Sequence, residues 1–193
     1  MNKRLSRKFY TRPTLTVAKD LLGKYLIVSN GSNKFVGKIV EVEAYMGEKD
    51  KASHAYGGKK TPKRKLMYSE GGFVYIYLCY GMYWQLNFVT EQKDVPQCVL
   101  VRALEPVLPE SDLKEIKNLA NGPGKLCRWM NLDKSFNEED LAKSDKIWLE
   151  DRGEEIKKSQ IVACERIGID YAKEWAKKPL RFYIKDNICV SRF

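Results

Sequence analysis

The chain has 193 residues, 44% of them hydrophobic, which suits one large domain with a substantial core and disfavours two full domains. Its 35 Lys and Arg against 25 Asp and Glu give a net charge of +10 and a pI of about 9.3, a balance that favours a polyanionic partner through counterion release. Five widely spaced cysteines without a CxxC pair, and a single histidine, argue against a zinc site of the usual spacing and for reduced, buried thiols.

No metal or other cofactor is therefore expected. The chain opens with no basic-apolar-small leader and contains no 18-residue apolar run, so secretion and membrane spanning are both disfavoured and an intracellular protein is expected. The cations cluster in two places. Lys3, Arg4, Arg7, Lys8 and Arg12 form a basic amino-terminal arm, expected to be flexible over residues 1–10. Lys59, Lys60, Lys63, Arg64 and Lys65 fall in a Gly- and Pro-containing segment with no acid. A solvated surface is the ordinary reading of one such run; two of them beside an aromatic hairpin favour nucleic acid.

In chain order, Thr14 to Leu22 places Val17, Ala18, Leu21 and Leu22 on one helical face, with Gly23 as a stop. Tyr25 to Ser29 and Phe35 to Tyr45 read as strands joined by the turn residues Asn30-Gly31-Ser32-Asn33. In the second strand a period of two puts Val36, Val40, Val42 and Ala44 on one face and Ile39, Glu41, Glu43 and Tyr45 on the other. Glu43, a carboxylate beside Tyr45 on a mostly apolar strand, would be a pocket base if burial raised its pKa; position alone does not separate it from Glu41. Residues 47–69 are polar, basic and interrupted by Gly57-Gly58 and Pro62. They read as a long surface loop holding His54, and loops beyond about 12–15 residues are often functional.

The stretch Gly71 to Asn87 is dense in aromatics. Two apolar runs, Phe73 to Cys79 and Tyr83 to Val89, flank Tyr80-Gly81-Met82, the pattern of a β-hairpin. Most of these aromatics, Tyr75 and Trp84 among them, read as core. Tyr80 at the tip reads instead as an apolar wedge of the kind placed between base steps. Gln97 to Leu104 is an apolar strand with Arg102 in phase with Cys98, Leu100 and Leu104, either a structural ion pair or a positioned site residue.

Helical patterns follow at Ser111 to Ala120 and Gly124 to Asn131, and Asn137 to Leu141 resembles an acidic first helical turn. Pro123 in NGPGKL reads as a helix start. Ile147 to Leu149, Ile161 to Arg166 and Leu180 to Ile184 return to strands around a short helix near Tyr171 to Lys177. Without βαβ alternation, linker or repeat, residues 1–193 read as a single α+β domain on a largely antiparallel sheet. There is no GxSxG, phosphate-loop or dinucleotide motif.

The chain resembles the alkyladenine (3-methyladenine, or methylpurine) DNA glycosylase family. The resemblance rests on EVEAY (Glu41 to Tyr45), the DxxSH-type segment ending in His54, GGxxTP (Gly57 to Pro62), YxYLxYGMYxxxN (Tyr75 to Asn87), VLVRALEP (Val99 to Pro106), NGPGKLC (Asn121 to Cys127) and KPLRFY (Lys178 to Tyr183). These blocks run in family order from about Leu5 to Val190. The resemblance implies a curved sheet with surrounding helices and a protruding hairpin that inserts into DNA. It also implies a monofunctional, metal-free hydrolase that flips a damaged purine out of duplex DNA and cuts its N-glycosidic bond, without strand cleavage.

By the same resemblance Glu43 activates water and Arg102 helps hold it. Tyr45, His54 and Tyr77 wall the base pocket, Asn87 gates which purine fits, and Tyr80 is the wedge. Met82, Tyr83, Lys59 and Thr61 contact DNA. The segment Lys59 to Arg64 is richer in Lys than in animal relatives, and Lys meets phosphate as a point charge. Alkylation at N3 or N7 leaves a cationic purine that departs through an oxocarbenium-like transition state, so a carboxylate is the main requirement. The implied substrates are 3-methyladenine and 7-methylguanine, with hypoxanthine and ethenoadenine as further candidates; no acid to protonate a neutral purine is evident. The implied partner is double-stranded DNA with no membrane, met by a monomer in the cytoplasm on the nucleoid, or in a nucleus if the source is eukaryotic. The alternative from another class is a catalytically silent nucleic-acid-binding module of the same fold, against which Glu43 and Arg102 together count. A helix-hairpin-helix glycosylase is disfavoured by its missing Gly-hairpin pattern.

Overall fold

The structure, a computed structural model, describes residues 3–31, 33–108 and 113–191. Lys3–Arg4 forms strand β1 and Arg7–Tyr10 a single turn, α1, ahead of α2 (Thr14–Leu21), which buries Val17, Ala18 and Leu21. β2 (Tyr25–Asn30) turns back into the long β3 (Asn33–Tyr45). The expected long loop is punctuated by 3₁₀ turns at Gly47–Lys49, Tyr56–Gly58 and Pro62–Tyr68. β4 (Val74–Cys79) and β5 (Tyr83–Thr90) make the central hairpin, and β6 (Gln97–Pro106) follows. Then come α3 (Leu113–Leu119), α4 (Pro123–Trp129), β7 (Ile147–Asp151), β8 (Ile161–Cys164) and β9 (Arg181–Ile184), with a 3₁₀ segment at Asp170–Trp175. The expected helix start at Ser111, like Ser32 in the first turn, lies outside the described residues.

The strands form one sheet in the order β1-β7-β2-β3-β6-β5-β4, with β9 pairing β3 and β8, and every described pairing is antiparallel. This is the expected α+β architecture. β3 is its axis: β6 runs along one edge, while β2 and then β9 share the other. The period of two divides the sheet into two faces. Val42, Ala44, Val74, Ile76, Phe88 and Val99 enter the main core, and a smaller cluster of Tyr75, Val89, Cys98, Met67 and Ala55 forms beneath the 3₁₀ turns on the other face.

Three expectations need correction. Residues 3–10 are not a free arm, because β1 pairs with β7 and Leu5 and Tyr10 are buried. Arg7 donates to the Gly71 carbonyl and pairs with Asp140, while Arg4 donates to the Ser144 carbonyl and lies over the Trp148 ring. Second, Asn137 to Leu141 starts no helix. Asn137 Oδ1 accepts from the Ile76 amide and Asp140 bridges Phe73, so this stretch finishes the sheet beside β4. Third, the phase of β3 breaks between Ile39 and Val42. The ladder slips there twice in compensating directions, leaving Val40 and Arg102 without cross-strand partners. The irregularity turns Ile39 and Leu104 into the main core and leaves Arg102 with Glu41 and Glu43. Bulges of this kind re-aim side chains beside functional sites.

Candidate active site

Glu41 and Glu43 have no exposed surface, and buried carboxylates persist only with partners. Glu41 is fully engaged. Its Oε1 accepts from Arg102 Nε at 3.1 Å, Arg181 Nη1 at 2.9 Å and Ser191 Oγ at 2.9 Å, and its Oε2 from the Ser191 amide at 2.7 Å. Glu43 Oε1 accepts from the Ile167 amide at 2.8 Å and meets Arg102 Nη1 at 3.2 Å; its Oε2 accepts from the Tyr45 hydroxyl at 2.9 Å. A carboxylate offers about four lone-pair positions. Glu41 therefore meets four donors, three of them crowded on Oε1, whereas Glu43 meets three, with a single bond to its Oε2.

Tyr45, Arg102 and Ile167, the three donors to Glu43, line a cavity of about 300 Å³, at the lower end of the range of ligand pockets. Glu43 itself lies one layer beneath the floor. The same cavity is lined by His54, Tyr77, Tyr80 and Asn87, so six of the expected residues meet there with Glu43 just below.

β4 alternation turns Tyr75 and Tyr77 inward, their centroids 5.5 Å apart, and His54 lies tilted against Tyr77 at 4.5 Å while its Nδ1 shares a 2.8 Å hydrogen bond with the Tyr75 hydroxyl. His54 is at the pocket mouth. Crowding by these rings first, and the Arg64 charge second, hold its pKa below the ordinary value, so the imidazole is neutral at pH 7. Burial raises the Tyr45, Tyr75 and Tyr77 phenols, with Glu43 adding to the effect on Tyr45, and all three stay protonated. Asn87 is buried, its Nδ2 donating to the Gln85 carbonyl and its Oδ1 facing Cys98 Sγ at 3.9 Å. Burial pushes the Cys98 thiol up to about 12, which keeps it a neutral wall. The five cysteines are free, and among the described residues no three His, Cys, Asp or Glu side chains cluster to hold a metal.

The hairpin tip stands at the rim. Tyr80 is 85% exposed and Met82 64%. Tyr80 and Gly81 have φ of 51° and 69°, with the Met82 amide closing the turn on the Cys79 carbonyl. That pair of positive φ angles is the type I′ pattern, which prefers Asn-Gly; a Tyr in the first position costs on the order of 1–2 kcal/mol. The turn leaves the Tyr80 phenol ring exposed. Tyr83 is 41% exposed and packs on α4, where a Cβ on Gly124 would come within 2.8 Å of its ring. Lys59 and Thr61 are exposed in the basic segment apart from the cavity, and Lys60 is paired with Asp94 at 2.8 Å.

Several residues that shape the site were given no site role from the sequence. Arg166, fully buried, grips Asp50 with two hydrogen bonds of 2.6 and 2.8 Å, donates to the Ala44 carbonyl, and lies 4.7 Å from the Tyr45 ring centroid. Asp50 also accepts from the Met46 and Ala52 amides. This clamp fixes the segment after β3 to the segment carrying Ile167, and so fixes two of the donors to Glu43. Tyr75, expected as core, is also pocket wall, and Tyr171, 69% exposed, lines the same cavity.

Known proteins give the arrangement a lineage. The model of the methylpurine-DNA glycosylase family matches residues 8–188. A Clostridium novyi protein provisionally named a 3-methyladenine DNA glycosylase is 52% identical over 98% of this chain and 99% of its own length. Proteins of the same provisional name from Alkaliphilus oremlandii and Methanocella arvoryzae are 47% and 46% identical, over 98% and 97% of this chain and 99% and 96% of their own lengths. Among the described residues no helix is long and apolar enough to cross a membrane. With nearly its whole length matched in this way, the chain belongs to the methylpurine-DNA glycosylase family.

Proposed function

We propose that this protein is a monofunctional DNA glycosylase that releases alkylated purines, 3-methyladenine and 7-methylguanine first, by hydrolysing the N-glycosidic bond of a nucleotide flipped from duplex DNA. The observation that carries the reading is the unequal occupancy of the two buried carboxylates. Glu41 meets four donors, three of them from Arg181 and Ser191 away from the cavity, while Glu43 meets only three, Tyr45, Arg102 and Ile167, all of which line a base-sized aromatic cavity.

In this reading a water beside the Tyr45 hydroxyl gives a proton to Glu43 Oε2 as its oxygen bonds to C1′ of the flipped nucleotide. The C1′–N bond breaks and its electron pair leaves with the purine, which for a cationic alkylated base becomes neutral. The carboxylate also offsets positive charge gathering on the sugar. Arg102 holds Glu43 Oε1 in place, and its charge is shared with Glu41. The pocket suits an electron-poor ring: Tyr45, Tyr77 and a neutral His54 present π faces, and the one guanidinium in the lining, Arg102, is paired with Glu41 and Glu43. Asn87, whose amide borders the cavity, is the residue assigned to reject the exocyclic amine of normal guanine. Tyr80 enters the duplex to fill the space of the departed base, and Met82, Tyr83, Lys59 and Thr61 hold DNA around it. A protein working on chromosomal DNA in this way acts on the nucleoid.

Base release from duplexes each carrying one defined lesion tests the assignment. Free 3-methyladenine and 7-methylguanine with intact abasic strands are the expected products. Absence of release from both cationic lesions, despite tight duplex binding, would favour the catalytically silent binding module.

A further inference from the structure

The central hairpin has two flanks, and only one has been assigned. Alternation along β4 and β5 sends Tyr77, Gln85 and Asn87 to the base pocket and Ile76, Leu78 and Trp84 to a separate groove of about 540 Å³. His54, Tyr75 and Tyr77 belong to both linings, so the two recesses share a wall. Leu78 is 45% exposed and stands directly across the ladder from the half-buried Trp84, forming an uncovered apolar floor beyond the edge of the main core. The rim is cationic: Lys63 and Arg64 come from the 3₁₀ turn at Pro62–Tyr68 and Lys134 from the turn after α4, against the single carboxylate of Glu138. Among the described residues none of these three cations makes an ion pair.

We propose that this groove seats the strand of duplex DNA opposite the flipped nucleotide, with its phosphates on Lys63, Arg64 and Lys134 and its deoxyribose faces on Leu78 and Trp84. The inference rests on the reading of the neighbouring cavity as the base pocket. The hairpin tip stands between the two recesses. Once Tyr80 occupies the stack and the damaged strand is drawn toward the pocket on one flank, the complementary strand remains on the other. Three cations to one carboxylate fit a polyanion, and an apolar floor between them fits sugar rather than an acidic peptide. The rim is also continuous in sequence with Thr61 and Lys59, the expected DNA contacts.

The test uses Lys134→Glu and Leu78→Ser, both at exposed positions, in the full chain with folding verified by denaturation midpoint. Binding is measured to a short undamaged duplex and to a single strand of the same length. Reversing one phosphate-facing charge should raise the duplex Kd by about ten-fold while single-strand affinity changes by less than about two-fold, and Leu78→Ser should shift the same ratio less. Equal losses on both ligands, or an unchanged duplex Kd in both variants, would overturn the proposal. A wild type that prefers duplex and loses that preference in Lys134→Glu, yet releases no base, would unseat the glycosylase reading and leave the groove as a duplex-strand site. A wild type that releases methylated bases, with both variants unaltered on duplex, would unseat the groove alone.

Discussion

Glu41 and Glu43 stand two residues apart on one face of β3, both without exposed surface and both within reach of Arg102. They differ in what else touches them. Glu41 is closed by Arg181 and by the amide and hydroxyl of Ser191, which tie β9 and the chain end to the sheet. Glu43 is held by one guanidinium, one amide and one phenol, all at the pocket floor. A buried carboxylate whose donors come from structural segments acts as a rivet, and one whose donors all line a cavity can accept a proton from what enters it. The difference between structural and chemical roles lies here in where the donors stand, not in residue type or depth.

The largest expected effect breaks the comparison at its chemical half. Glu43→Gln keeps shape and hydrogen bonding but removes the base, so base release should fall by about 10²- to 10⁴-fold while lesion binding persists. Near wild-type release of 7-methylguanine or 3-methyladenine from this variant would show that Glu43 is not the proton acceptor.

The structural half breaks differently. Glu41→Gln leaves Arg102 and Arg181 without their shared anion in a buried setting, where breaking such a pair costs about 3–5 kcal/mol. A lowered denaturation midpoint is expected, with catalysis per folded molecule reduced less than in Glu43→Gln. If Glu41→Gln were fully stable and Glu43→Gln unfolded, the assigned roles would be reversed.

Outside the carboxylates, Tyr80→Ala separates flipping from chemistry. Unstacking a nucleotide costs a few kcal/mol that the wedge must offset, so duplex lesion binding should weaken while activity on a single-stranded lesion changes less. Equal duplex affinity in the variant and the parent would remove Tyr80 from the wedge role.

Much of the fold was legible because strand periodicity and turn residues are local signals. The hairpins, the α2 face and the antiparallel α+β class all follow from alternation punctuated by Gly, Asn and Pro. The double slip at Val40 and Arg102 was not, since no Gly or Pro marks it, and it reversed the expected faces of Ile39 and Leu104. In the site, Glu43 and Glu41 were inseparable by position because the deciding donors come from residues 102, 167, 181 and 191. The Asp50–Arg166 clamp was invisible for the same reason: two charges far apart in the chain show no pattern until the fold brings them to 2.6 Å. Composition likewise misread the amino-terminal arm, because a count of cations says nothing of which already have anions.

That last point yields the smallest and most discriminating prediction. The two basic runs look alike in sequence, yet Arg7 is spent on Asp140 and the Gly71 carbonyl and Arg12 on Asp20, whereas Lys59 is exposed in the segment beside Thr61. Only a cation free to meet phosphate releases a counterion. Lys59→Ala should therefore weaken duplex binding by a few-fold and reduce the slope of log affinity against log salt by about 0.9, the value for one lost phosphate contact, with stability unchanged. Arg7→Ala should do the reverse, leaving the slope as it was and lowering the denaturation midpoint, because Asp140 and the Gly71 carbonyl lose their donor. Binding titrations at several salt concentrations read both. A slope that falls in Arg7→Ala and holds in Lys59→Ala would return the amino-terminal run to the DNA and take the 59–65 segment away from it.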